Sequence, residues 1–239
     1  MFPIGDQNEP GHGPAFVTLA LIAINVGVFL LLQELGNNVD FTYGWSAIPL
    51  EITTGQDLIR PELVDIGGQT YQVPQAPGPE PIHLTLLSSM FMHADLLHLG
   101  GNMVFLWVFG DNVEHRAGPI LFLAAYLGAG LVGSLAQIMS DTGSAIPTLG
   151  ASGAISGVLG AYLVLFPGNR VTVFMFRFVT QVPALVAIGI WIAFQVFANF
   201  TTPTGAGGVA YLAHIGGFAA GAAAGLLFRA LPARRPRYG

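Results

Sequence analysis

Hydrophobic positions in this chain come in long unbroken runs, each closed by a short polar or glycine-rich break. Residues 14 to 33 hold no charge and are rich in Leu, Ile, Val and Phe, and the run stops at QELGNN. This predicts a first membrane-spanning helix over about 14–35. A connection over 37–83 follows, rich in proline and acids and too polar to cross a bilayer. Charge is absent again from 81 to 94 and from 96 to 110, which predicts a second span over about 94–112, ending at GDNVEHRAG. Further uncharged runs predict spans over about 118–140, 150–166, 177–200 and 208–229. The fourth opens at GASG and stops at FPGNR, and the last two are separated by TTPTGAGG. Each run approaches the roughly 20 apolar residues that a crossing needs. The expected fold is all-α: a six-helix polytopic bundle over 14–230, between a short segment 1–13 and a basic tail 231–239.

Composition fits that pattern and excludes several chemistries. Charged residues make up 9% of the chain, against about a quarter in soluble domains. The absence of cysteine rules out disulfides, thiolate metal sites and a cysteine nucleophile. The eight basic residues are all arginine and the net charge is −5, so the chain lacks the basic surface of a nucleic-acid-binding protein. Residues 1–13 contain two acids and no base, unlike a signal peptide, so the first apolar run is expected to be retained. With six spans, seven of the arginines, Arg116, Arg170, Arg177, Arg229, Arg234, Arg235 and Arg237, fall on the side shared by the termini, and only Arg60 falls opposite. The positive-inside rule then makes both termini cytoplasmic and places the start of the fourth span near the outer face.

Strongly polar groups inside spans are costly and mark candidate chemistry. Here they are His93, His98 and Asn102, then Ser152 and Ser156, then Gln195 and Asn199, and finally His214. His98 and Asn102 lie four apart on one helical face; Ser152, Ser156 and Gly160 share another. His214 is followed by Gly217, Gly221 and Gly225, a glycine stripe that lets two helix backbones approach closely. A sixth span against the small face of the fourth would bring His214 to Ser152, and a serine needs such a base to become a nucleophile. At a helix start, the Ser152 N–H is an unpaired donor suited to an oxyanion, and His98 and Asn102 can add donors. The spans offer no carboxylate for a triad, so the arrangement reads as a Ser–His dyad. Ser156, Gln195 and Asn199 read as packing and hydrogen-bonding residues, and Asp95 and Glu114 as solvated or loop-bracing. Alone, GASGAISG reads as a helix-packing surface; the three spans together favour catalysis. A metalloprotease or metal transporter fits poorly, since His93 and His98 lie about 140° apart on a helix and no HExxH motif occurs.

GASGAISG with Ser152, HADLLHLGGNM with His98 and Asn102, and AHIGG with His214, in that order over six spans, resemble the rhomboid intramembrane serine proteases. The resemblance covers roughly residues 14 to 230. It implies Ser152 as nucleophile and His214 as general base and then acid. It also implies an oxyanion hole from the Ser152 amide, His98 and Asn102, with no cofactor and no metal. His93 would be structural, and Glu114 and Arg116 would brace a turn. Substrates would be single-span or polytopic proteins of a prokaryotic plasma membrane, entering past a movable fifth helix for which Pro183 and the TTPTGAGG turn supply flexible ends. Two departures stand out. PIHLT replaces the Trp-Arg pair often found ahead of the second span. Ser156 replaces an aromatic residue that packs on the base, which leaves the orientation of His214 to another group, such as a water or a backbone carbonyl. A non-catalytic member that binds membrane clients is the alternative; such members usually lose the serine or the histidine.

Overall fold

The computed structural model describes residues 2–8, 13–202 and 208–232. Strand β1 (Phe2–Asp6) leads to α1 (Phe16–Gly27), which continues through a π-helical turn over Val28–Leu32. The long connection folds as short helices α2 (Val39–Gly44) and α3 (Pro49–Thr54), an antiparallel hairpin of β2 (Glu62–Ile66) and β3 (Gln69–Val73), and α4 (Thr85–Ser88). Then come α5 (Leu96–Ala117), α6 (Pro119–Ser140) and α7 (Ser152–Leu165). A second hairpin, β4 (Arg170–Met175) and β5 (Phe178–Pro183), precedes α8 (Ala184–Thr201) and α9 (Tyr211–Ala230). The six long apolar helices α1, α5, α6, α7, α8 and α9 make a polytopic membrane bundle. Among them α6, α8 and α9 are each long and apolar enough to cross on those grounds alone.

The hairpins lie where apolar periodicity changes. The run from 177 onward predicts helix, yet the fifth long helix begins only at Ala184. In VTVFMFRFVTQV, β-branched and aromatic residues dominate, a composition suited to a pleated surface, and Val171 and Val173 point into the core two residues apart. Pro183 therefore ends a strand and precedes the helix, where its missing N–H costs nothing. β4 also pairs with β1, giving a three-stranded antiparallel sheet in the order β1-β4-β5. In the other hairpin Gly67 and Gly68 both hold positive φ, +62° and +83°, as a tight two-residue turn demands. The TTPTGAGG turn falls partly on residues 203–207, outside the described residues, and the basic tail from 233 onward lies outside them too.

At the centre stands α7, buried continuously from Gly153 to Tyr162. It packs most extensively on α9, with α6 against both. A methyl group on Gly217 would overlap the Gly153 carbonyl, one on Gly221 the Gly157 carbonyl, and one on Gly160 the Phe218 carbonyl. Only hydrogen in place of Cβ lets these backbones meet, and small-residue contacts of this kind drive helix association in lipid.

Charged side chains fix the helix ends. α1 has no side-chain cap of its own; Glu114 of α5 accepts from the Val17 and Thr18 N–H groups at 3.0 and 2.7 Å and from Thr18 Oγ1 at 2.8 Å. A carboxylate at a helix N-terminus satisfies orphan donors and opposes the dipole. Arg116 does the converse for α9, donating to the Arg229 and Leu231 carbonyls at 3.2 and 2.8 Å. Glu114→Ala should therefore cost about 3 kcal/mol, since charged hydrogen bonds contribute about 1.5–3 each and orphan donors remain. Thermal unfolding in detergent should register this as a fall of roughly 6–12 °C in Tm. An unchanged Tm would deny the bracing role.

In the long connection, Glu51 is 1% exposed and accepts from Leu58 N–H at 2.8 Å. Burial, outweighing that bond, pushes its carboxyl up to about 7 from 4.5, with nearby Asp57 adding to the rise. Below pH 4.5 both folded and unfolded chains hold the proton. Between 4.5 and 7 the unfolded chain ionises first, so stability falls as pH rises, by up to about 3 kcal/mol above pH 7. Glu51→Gln should remove that slope: its Tm advantage over the parent should be absent at pH 4 and full by pH 8. An equal difference at both pH values would contradict the shift.

Candidate active site

The segment before α7 is fixed through its backbone. Thr148 pairs with Ala47 in an isolated antiparallel bridge, and Gly150 donates its N–H to Ser89 O at 2.9 Å. Gly150 has φ +129°, a conformation side chains rarely adopt, and the chain turns there directly into α7. Ser152 is the first residue of that helix. The N–H groups of its opening turn have no intrahelical acceptor, and they point the positive end of the helix dipole at the serine hydroxyl.

Close packing of α9 on α7 delivers the histidine. His214 Nε2 lies 2.8 Å from Ser152 Oγ, hydrogen-bonding distance for proton transfer. The other ring nitrogen, Nδ1, lies 2.8 Å from Gln195 Oε1 on α8. Trp191, one turn earlier on α8, sets its ring 5.9 Å from the imidazole at 38°. Gln195, which the sequence marks as a packing and hydrogen-bonding residue, is thus the hydrogen-bond partner of the histidine, in the place where a water or a backbone carbonyl was expected. Ser156 stays uninvolved: its Oγ donates to Ser152 O at 2.6 Å, the i−4 back-bond usual for helical serine. Asn199, one turn beyond Gln195, is half-buried.

The third side of the site comes from α5. Asp95 caps that helix by accepting the His98 N–H at 2.7 Å, the role of an N-cap rather than of a catalytic acid. Gly150 sits between the His98 ring and the serine: a Cβ there would lie 2.9 Å from His98 Cε1, 3.0 Å from Nε2 and 3.6 Å from Ser152 Oγ. Asn102, one turn further along α5, is buried with its amide nitrogen lacking any partner. An unpaired buried donor is costly, and Asn102 stands one helical turn from His98 on the same face of α5. His93 packs edge-on against His98 with ring centroids 5.1 Å apart. Its backbone is clasped by Gln33, which donates to His93 O and accepts from His93 N–H, each at 2.9 Å. His93 therefore supports the His98 ring.

The arrangement comprises a hydroxyl with a base in reach, an acceptor behind the base, and the free N–H groups of a helix start at the hydroxyl. Nucleophilic acyl transfer requires these parts. Comparison with known proteins agrees. The Rhomboid domain family matches residues 82–231 of the chain. Rhomboid protein 1, mitochondrial, of Saccharomyces cerevisiae is 33% identical over 141 residues, covering 56% of this chain and 38% of that protein. Rhomboid protease GluP of Bacillus subtilis is 38% identical over 141 residues, 59% of this chain and 26% of that protein. Presenilin-associated rhomboid-like protein, mitochondrial, of Homo sapiens is 37% identical over 90 residues, 37% of this chain and 24% of that protein. The matched region thus spans less than half the length of each of these relatives.

Proposed function

The chain belongs to the rhomboid family, and from that premise we propose that it is an intramembrane serine endopeptidase acting through a Ser152–His214 dyad. The observation that carries the reading is the 2.8 Å contact between Ser152 Oγ and His214 Nε2, two residues on separate helices held together by glycine packing. Ser152 Oγ attacks the scissile carbonyl carbon while Nε2 takes its proton. The resulting oxyanion is met by the Ser152 N–H, the His98 ring and the Asn102 amide. Collapse breaks the C–N bond, and the imidazolium returns its proton to the leaving amine. Water then hydrolyses the acyl-enzyme, with His214 again as base.

Both termini are assigned to the cytoplasm from the arginine distribution, which puts the serine end of α7 toward the outer face. α7 has 14 residues, roughly 21 Å at 1.5 Å per residue, against a hydrocarbon core of about 30 Å. A helix this short supports a nucleophile recessed below the membrane surface, in a depression that water can fill. Substrates are other membrane proteins whose spanning helix must unwind to expose a carbonyl, so glycine, proline or small polar residues near the outer end should favour cleavage.

A fluorophosphonate probe tests the assignment. It should form a covalent adduct at Ser152 in the wild-type protein in lipid vesicles, and a co-reconstituted single-span substrate should be cut near the outer end of its helix. An unlabelled Ser152 together with an intact substrate would overturn the reading.

A further inference from the structure

We propose that Gln195 is the positioning residue of the catalytic base, holding the His214 imidazole in the one tautomer that can accept the serine proton. The inference rests on the proteolytic reading and deepens it. For Nε2 to take a proton from Ser152 Oγ at 2.8 Å, it must present a lone pair, so the ring proton must reside on Nδ1. Nδ1 lies 2.8 Å from Gln195 Oε1, and an amide oxygen only accepts. The contact therefore admits Nδ1–H and disfavours the tautomer with the proton on Nε2. It persists when the ring becomes imidazolium, because Nδ1 still donates. A carboxylate in this place would also accept, but would set a charge in the bilayer interior; the neutral amide does the orienting without that cost.

Position supports specificity of role. Gln195 is 6% exposed, on the narrow inward stripe of α8 that includes Ala184, Ile188, Trp191 and Ala198, while Leu185, Ile190, Phe194, Phe197 and Phe200 face outward. Trp191 on the same stripe flanks the ring. His98 of α5 is an ionisable neighbour of His214 among the described residues; α6 offers the backbone of Gly133 to Ala213. Orientation of the base is thus supplied from α8.

Three substitutions separate orienting from packing: Gln195→Leu fills space with no acceptor, Gln195→Met fills it with only a weak thioether acceptor, and Gln195→Glu restores an oxygen. Kinetics on a single-span substrate in proteoliposomes, with wild type and Ser152→Ala alongside, should show kcat down about 10- to 100-fold for Leu and Met, part of the 10²–10⁴ that a general base supplies. KM should stay within about twofold, and Gln195→Glu should recover most of kcat. Wild-type kcat in the Leu or Met variant, or equal losses in all three, would overturn the positioning role while wild-type cleavage leaves the dyad standing. Substrate left intact by the wild-type protein would remove both readings.

Discussion

Ser152→Ala, His214→Ala and the double variant are expected to lower turnover of a transmembrane substrate by about the same factor, on the order of 10⁴ or more. The equality matters more than the size. With Oγ and Nε2 2.8 Å apart, the proposed dyad makes the hydroxyl a nucleophile only through the imidazole and gives the imidazole no task without the hydroxyl. Removing either removes the unit, so the second substitution finds nothing left to lose. On the proposed mechanism, residual turnover would come from the donors of α5 and the α7 terminus, which remain in all three proteins. Initial rates in proteoliposomes settle it: a double variant whose loss is the product of the single losses would mean that the two residues act independently, and the dyad would be wrong.

The second large effect sits two helical turns from the chemistry. Gly221→Val should abolish activity and cost more than about 4 kcal/mol of stability, the range reserved for named structural conflicts such as overpacking. A Cβ at this position would overlap the carbonyl, carbonyl carbon and Cα of Gly157, all backbone atoms, so no rotamer change relieves the clash and the helices must part. Because His214 rides on the same helix, a separation of an ångström or two also breaks its contact with Ser152. Gly168→Ala makes the control, since nothing lies within 4 Å of a methyl group there. Melting and cleavage should both be normal for it. A Gly221→Val protein that melts and cleaves like its parent would show that the α7–α9 contact is not what places the base.

Much of this was readable in the residues because the chemistry needs few of them and the membrane makes each conspicuous. A serine after a glycine turn, a histidine heading a glycine stripe and a His-x-x-x-Asn pair stand out in uncharged runs, and a shared reaction is a strong reason for them to meet. The role of Gln195 was not readable. It stood among the polar residues of the spans, yet its partner lies 19 positions away on another helix, and whether it faced a ring nitrogen or another amide depended on the rotation of α8. Ser156 drew attention to a missing aromatic neighbour, and the replacement, Trp191, comes from a helix that helical spacing within α7 could not reveal. Likewise no charge falls between Arg177 and Arg229, so nothing in the charge pattern separates the strand over 178–183 from the helix after it; only the β-branched and aromatic character of 171–182 hints at the hairpin.

The three-stranded sheet has a mechanical consequence for α8. Ala184 and Leu185 donate their N–H groups to Asn169 O and Pro167 O at 2.8 and 3.1 Å, and β5 leads straight into the helix from a strand bonded to β4. One end of α8 is thereby pinned like the fulcrum of a lever. Gln195 stands eleven residues along, roughly 16 Å from that fulcrum, and the far end of the 18-residue helix lies near 27 Å. Rotating this arm by about 10° would swing its tip by roughly 5 Å and Gln195 by roughly 3 Å. A swing of that size would carry Gln195 beyond hydrogen-bonding reach of the His214 imidazole, so the anchored sheet also holds the partner of the base in place.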